Sequence, residues 1–251
     1  MSTKRMLGRL AIALATAGMM SAALAETTIA YITNGNTNEG WTLINGGAKK
    51  AGAAKGVKFI ELAAEKGELS KQLAIVEDMI TRKVNAIAIA PVDSAGIAPA
   101  INKALAAGIK VVAVDTGITG AKITSYVATD NIKAAMVQGK WAAEQVKDGD
   151  TVIYVTGDQG QSTGQERKKG FVDGLNAVRK NVKIVDVATT WDQTMAQNGV
   201  EAALRANPTA KVIACAWDGG ALGAKAALLA AGRSRVTSRL PALTARPAAW
   251  T

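Results

Sequence analysis

Polar and aromatic side chains follow several short apolar runs of this sequence, at the point where each run ends. Carboxylate, amide and guanidinium groups hydrogen-bond hydroxyls, while indole rings stack on apolar C–H faces. The residues assigned to a ligand site on this chemistry are Asn38, Trp41, Asp115, Arg167, Trp191, Trp217 and Asp218. Together, these residue types predict that the protein binds a small polyhydroxylated molecule, in particular a sugar.

Regular alternation of strand-like and helix-like segments would position these residues. Strands are predicted at 28–33, 57–62, 86–90, 110–114, 123–127, 151–156, 182–188 and 211–216. Helices are predicted at 40–55, 68–82, 95–107, 131–147, 163–180, 193–206 and 219–230. This alternation predicts an α/β fold with parallel sheets flanked by helices. Because ligands bind outside the carboxyl ends of parallel strands, the assigned residues should gather along one rim of each sheet.

Small polar residues mark where several of the helices begin. Ser94, Asn131, Ser162 and Asp192 precede or open predicted helices. Their side-chain oxygens can accept hydrogen bonds from the first backbone N–H groups of a helix. We therefore predict these four residues as helix N-caps.

Residues 1–25 have the features of a signal peptide. A basic start precedes an apolar stretch at 10–20, which is shorter than a membrane span needs, and an A-x-A site ends at Ala25. We therefore predict cleavage after Ala25 and export to the periplasm.

The mature chain is predicted to form two lobes, 26–128 and 129–232, with the second lobe incomplete. Thr129, Asp130 and Asn131 are the predicted hinge between them. Residues 233–251 contain four Arg and no acidic residue, and their pattern fits neither strand nor helix. We interpret them as a disordered tail or the product of a shifted reading frame.

Composition excludes several kinds of chemistry. The chain has no His and one Cys, which removes His-based triads, His metal sites and internal disulfides. The net charge of +10 does not indicate nucleic acid, because seven basic residues lie in the leader and tail and all 20 acidic residues lie between them. The sequence lacks P-loop and dinucleotide fingerprints, so no cofactor or metal is predicted.

Two further functions remain open from the residues. A glycoside hydrolase could use Asp115 with Asp192 or Glu39, because such enzymes need two carboxylates. A sugar-sensing receptor for chemotaxis or signalling would need the same kind of binding site. A sugar-responsive repressor is disfavoured, because a signal peptide stands where a DNA-binding helix-turn-helix would be needed. We favour a binding protein over an enzyme.

Several ordered segments resemble the ribose-type sugar-binding proteins of bacterial ABC transporters, which have the type I periplasmic binding protein fold. The segments are 76–80, 89–94, 107–112, 114–115, 129–131, 166–171 and 221–224. The resemblance implies a monomer that binds a monosaccharide or polyol between its lobes and delivers it to a membrane permease. It ends near Gly232, where such proteins continue, so the chain is expected to be truncated or frame-shifted.

The resemblance also implies roles for individual residues. Its stacking aromatic pair falls on Gly40 and Trp41, so one ring is absent here. Its carboxylate falls on Asp115, its arginine on Arg167 and a further aromatic on Trp191. Trp217 stands where the family has an amide, and Thr116 where it has an arginine. With these departures the site is still expected to bind a sugar, but they argue against ribose as the ligand.

Overall fold

Short apolar runs form parallel strands in two sheets of the computed structural model, which describes residues 26–35 and 39–233. The first sheet has the order β2-β1-β3-β4-β5 and the second the order β7-β6-β8, and neighbouring strands are parallel throughout. The strands are β1 (Thr28–Thr33), β2 (Lys58–Ala63), β3 (Ala86–Ile89), β4 (Lys110–Val114), β5 (Ser125–Val127), β6 (Thr151–Val155), β7 (Lys183–Val187) and β8 (Val212–Cys215). The predicted α/β class is confirmed, and the second sheet has fewer strands than the first.

Helices connect consecutive strands in the described part of the chain, except that a loop joins β4 to β5. They are α1 (Glu39–Ala54), α2 (Leu69–Thr81), α3 (Ala98–Ala106), α4 (Asn131–Glu144), α5 (Ser162–Val178), α6 (Gln193–Ala206) and α7 (Asp218–Ala230), with a 3-10 turn at Glu65–Gly67. Their ends lie within three residues of the predicted ones. None of these helices combines the length and the apolar character that a membrane crossing requires.

Each sheet packs against its own hydrophobic core. In the first core, Ile87 and Val111 of the sheet pack with Val76 of α2 and Ile101 of α3. A separate core surrounds the second sheet, where strands β6 and β8 are buried along most of their length. We call the first sheet with α1–α3 the first lobe, and the second sheet with α4–α7 the second lobe.

The chain passes from the first sheet to the second between β5 and α4. The predicted lobe limits, 26–128 and 129–232, place their boundary in this segment and stay a prediction. The predicted leader 1–25 lies outside the described residues, and so does the predicted tail from residue 234 onward.

Two of the predicted N-caps, Asp192 and Asn131, lie at helices whose capping side chain comes from the same lobe. Asp192 caps α6 as predicted, because its Oδ1 accepts a 2.7 Å hydrogen bond from the backbone N–H of Met195. The prediction for Asn131 is wrong by one residue. Asp130 caps α4 instead, with its Oδ1 accepting from the backbone N–H of Lys133 at 3.1 Å. This leaves the Asn131 side chain available for another contact.

The predictions of Ser94 and Ser162 as N-caps are also wrong, because both hydroxyls bind the opposite lobe. Ser94 Oγ accepts from the backbone N–H of Ser162 at 2.9 Å, and Ser162 Oγ accepts from that of Gly117 at 2.8 Å. In place of Ser94, Asp93 Oδ1 accepts from the backbone N–H groups of the turn before α3. The two lobes are therefore in direct hydrogen-bonded contact.

Helices α4 and α5 approach closely because their contact is lined by glycine. The glycines are Gly139, Gly170 and Gly174. A Cβ atom on Gly174 would lie 2.1 Å from the backbone oxygen of Met136, and one on Gly139 would lie 2.1 Å from that of Phe171. Any side chain here must push the helix backbones apart.

Replacing Gly174 with Ala should lower the free energy of unfolding by about 2–3 kcal/mol, because an overpacked contact costs about that much when backbone must move. Urea unfolding followed by far-UV circular dichroism measures the change. Gly46→Ala is the matched control, since Gly46 lies in α1 with nothing within 4 Å of its Cβ position. That substitution should stabilise by about 0.5–1 kcal/mol. Equal unfolding curves for Gly174→Ala and the wild type would contradict the close contact.

Candidate ligand-binding site

A cavity lies between the two lobes, at the carboxyl ends of the strands. Its lining residues are Asn34, Gly40, Trp41, Ile44, Asp115, Gln161, Thr163, Arg167, Trp191 and Trp217. The space within it is about 550 Å³, including a part that is open to solvent. Because both lobes contribute to this lining, a molecule bound here would contact both lobes at once.

Five of the predicted site residues line this cavity together. Trp41 and Asp115 come from the first lobe, and Arg167, Trp191 and Trp217 come from the second. These residues are far apart in the sequence, and the strand ends bring them to one place.

The other two predicted site residues have different placements. Asn38 lies outside the described residues. Asp218 is the first residue of α7 and is not among the residues that line the cavity.

The predicted set lacked half of the lining residues. They are Asn34, Gly40, Ile44, Gln161 and Thr163. Asn34 directly follows β1, so its position after a strand could have identified it. Ile44 lies one helical turn after Trp41, on the same face of α1. Gln161 and Thr163 flank the start of α5 and become lining residues only because the lobes meet there.

Asp115 holds its carboxylate at the cavity by an unusual backbone conformation. Its φ is +62°, a left-handed conformation that is uncommon for residues other than glycine. Hydrogen bonds to the Asp115 backbone fix this turn: its N–H donates to the backbone oxygen of Val127 at 2.9 Å, and the Tyr126 hydroxyl donates to its backbone oxygen at 2.9 Å. Thr116 Oγ1 donates to the carboxylate at 3.1 Å. Burial raises the pKa of Asp115, and Arg167 and Thr116 partly oppose that rise.

Arg167 lies in the first turns of α5, and two groups hold its guanidinium. Nε donates to Asn131 Oδ1 at 2.9 Å, and Nη1 donates to the backbone oxygen of Ala216 at 3.0 Å. Asn131 in turn donates from Nδ2 to Glu166 Oε2 at 3.1 Å. Burial lowers the pKa of the guanidinium, while the negative charge of Asp115 acts in the opposite direction. A predicted hinge residue thus contacts the cation of the cavity directly.

The other two predicted hinge residues adjoin this contact. Asp130 caps α4, and the backbone oxygen of Thr129 accepts from the Asn131 N–H at 2.8 Å. A hinge role for Thr129, Asp130 and Asn131 stays a prediction.

Contacts on several sides fix the indole ring of Trp191. Trp191 also has a left-handed φ of +62°, and its backbone N–H donates to Thr189 Oγ1 at 3.3 Å. Its Nε1 donates to Gln161 Oε1 at 2.9 Å. The ring of Trp217 stands edge-on at 5.4 Å between centroids, and Arg167 Cζ lies 5.4 Å from the Trp191 ring centroid. The two indoles therefore form two walls at nearly a right angle.

This arrangement suits binding by hydrogen bonds and stacking. It combines one carboxylate, one guanidinium and three indoles across the gap between the lobes. Within the described ranges, no group of three or more Cys, Asp or Glu side chains is placed to hold a metal ion.

A family model described as the periplasmic binding protein domain matches residues 29–244. The ribose import binding protein RbsB of Escherichia coli (strain K12) is 30% identical over 231 residues, which cover 92% of this chain and 77% of that protein. The D-ribose/D-allose-binding protein of Pseudomonas aeruginosa is 34% identical over 230 residues, covering 86% and 71%.

Solved structures have the same fold. An ABC transporter solute binding protein from Actinobacillus succinogenes with bound D-allose superposes with a TM-score of 0.73 at 30% identity, covering 82% of this chain and 75% of that one. The Caulobacter myo-inositol binding protein, bound to myo-inositol, gives a TM-score of 0.79 at 25% identity, covering 84% and 73%.

Proposed function

We propose that this chain, which belongs to the periplasmic binding protein family, binds a monosaccharide or polyol in the cavity between its lobes and delivers it to the permease of an ABC importer. Its relatives include sugar-binding proteins of such import systems. In this proposal residues 1–25 direct export to the periplasm, and the lobes close around the ligand by a hinge motion.

One observation carries the proposal. Trp41 and Asp115 of the first lobe face the same cavity as Arg167, Trp191 and Trp217 of the second. The carboxylate and the guanidinium suit hydroxyls at the edge of a sugar ring, and the indoles suit its faces. A site built to pair hydroxyls also rejects molecules that lack them, because its own polar groups would be left unpaired.

Glycoside hydrolysis fits the cavity less well. The reaction needs two carboxyl groups about 5–9.5 Å apart across the scissile bond. The described lining contains one carboxylate, Asp115. Asp192, a proposed partner, is occupied as the N-cap of α6 and is not among the lining residues.

Calorimetric titration against pentoses, hexoses and polyols tests the proposal. One of them should bind tightly, and Asp115→Asn should weaken that binding about 10- to 100-fold, because hydrogen bonds to a charged group contribute about 1.5–3 kcal/mol. Asp78→Asn is the control, since Asp78 is an exposed carboxylate of α2 paired with Arg82. Failure of the wild type to bind any member of the three classes would refute the proposal.

Sugar affinity should also depend on pH through Asp115. The ionised carboxylate is the acceptor for ligand hydroxyls, and protonation removes that charge. Because burial raises its pKa, affinity should begin to fall on acidification at a higher pH than for an ordinary Asp carboxyl, whose pKa is about 3.9. Asp115→Asn should lack this decline, and titrations across a pH series would show whether it does.

A further inference from the structure

We propose that Gln161 is a positioning residue that couples the Trp191 indole to contact between the lobes. It would thereby set both the affinity for the ligand and the rate of its release. The inference rests on the proposed function, since it concerns the same cavity.

The Gln161 side chain joins the two lobes through its amide. Its Oε1 accepts from Trp191 Nε1 at 2.9 Å within the second lobe. Its Nε2 donates to the backbone oxygen of Val92 at 3.1 Å, across to the first lobe. An indole N–H can only donate and a carbonyl oxygen can only accept, so the two partners fix the orientation of the amide. Gln161 is only 4% exposed, so loss of either partner leaves a buried polar group unpaired.

Local helix formation does not account for this residue type. Gln161 occupies the N-cap position of α5, where Ser, Thr, Asp and Asn are favoured, and its side chain makes no capping bond. The first N–H of the helix, on Ser162, is instead satisfied by Ser94 of the opposite lobe. The amide is directed away from its own helix, toward Trp191 and Val92.

Trp191 depends on such external contacts. Its left-handed φ is a conformation that persists only where the surrounding structure imposes it. The ring has one polar atom, Nε1, and Gln161 is its hydrogen-bond partner. Gln161 therefore fixes how the ring is turned, and it does so with a side chain whose other end is bound only when the lobes are together.

Two substitutions separate the two contacts. Gln161→Glu keeps an acceptor for the indole but places an oxygen opposite the Val92 carbonyl. Gln161→Met keeps a side chain of similar length but removes both hydrogen bonds. With the sugar that binds the wild type, we expect Gln161→Met to lower affinity about 10- to 100-fold. Gln161→Glu should speed sugar release in stopped-flow tryptophan fluorescence while keeping the indole bond.

Gln165→Met is the matched control. Gln165 lies one turn further along α5 and is exposed, and its side chain donates to the backbone oxygen of Gln159 in its own lobe. This variant should bind and release sugar as the wild type does. If Gln161→Met also binds as the wild type does, the proposal is overturned while the proposed function stands.

A Trp191→Phe background tests whether Gln161 acts through the indole. Phe lacks Nε1, so Gln161→Met should cost much less affinity there than in the wild type, leaving only the share due to the Val92 contact. An equal loss in both backgrounds would overturn the positioning role, because a purely structural effect of Gln161 would not depend on the indole N–H.

A measurement without ligand keeps the two proposals distinguishable. The indole 1H–15N resonance of Trp191 should shift and exchange faster with solvent in Gln161→Met, and stay near its wild-type position in Gln161→Glu. If no sugar binds the wild type, the proposed function fails and this resonance alone decides on Gln161. An unchanged resonance in Gln161→Met would overturn the positioning role.

Discussion

Arg167→Met should weaken sugar binding by about three orders of magnitude, the largest effect of any single substitution in the cavity. The guanidinium has three N–H groups beyond those that it donates to Asn131 and Ala216, and each hydrogen bond from a charged group to a ligand hydroxyl contributes about 1.5–3 kcal/mol. Its positive charge also opposes the rise that burial causes in the pKa of Asp115. The substitution also leaves the Asn131 amide oxygen and the Ala216 backbone oxygen without their donor. Calorimetric titration measures the loss.

Two further variants separate charge from geometry at this position. Arg167→Lys retains the charge but not the planar donor set, so it should recover part of the affinity. Lys168→Met removes a neighbouring charge that pairs with Asp186 outside the cavity, and it should bind as the wild type does. On acidification, the residual binding by Arg167→Met should begin to fall at a higher pH than the binding by the wild type. The reason is that the pKa of Asp115 rises further without the guanidinium. Near-wild-type affinity for Arg167→Met would show that the guanidinium does not serve the ligand.

Gly157→Ala should weaken sugar binding about 100-fold although residue 157 does not line the cavity. A Cβ atom on Gly157 would lie 1.9 Å from Cη2 of Trp191, well inside van der Waals contact. Because the φ of Gly157 is not positive, the backbone accepts alanine and the clash with the ring is the main effect. The indole must then leave its place beside Arg167 and Trp217, which removes the stacking wall.

Calorimetric titration with the sugar, carried out on Gly157→Ala and separately on the control Gly47→Ala, checks this expectation. Gly47 lies in α1 with nothing within 4 Å of its Cβ position, so its substitution should leave sugar affinity unchanged. A red shift of tryptophan emission in Gly157→Ala would report that the ring has moved toward solvent. Unaltered affinity and emission would show that the Trp191 ring keeps its position, and this result would contradict the prediction.

Position shortly after a strand was enough to predict three residues of the cavity from the sequence. Asp115, Trp191 and Trp217 follow β4, β7 and β8 closely, and parallel strands bring their carboxyl ends to one edge. The strands themselves were predictable because their short apolar runs are bounded by turn residues. Both the ends of the strands and the residues that follow them can be identified from neighbouring positions in the sequence.

Contacts between the lobes could not be predicted in this way. Ser94 and Ser162 have the residue type of helix caps, and only the folded chain shows that their hydroxyls bind the opposite lobe instead. Gln161 and Gly157 serve Trp191 from a different loop, some 30 residues away in sequence. Such roles depend on distances that no single segment determines.

The second sheet winds as β7-β6-β8, which repeats the β2-β1-β3 arrangement at the start of the first sheet. Within each sheet the strand order reverses beside the first strand in the chain, β1 or β6, and ligands of parallel sheets bind outside such a reversal. Asn34 follows β1 and Gln161 follows β6, so each lobe contributes its own reversal point to the cavity.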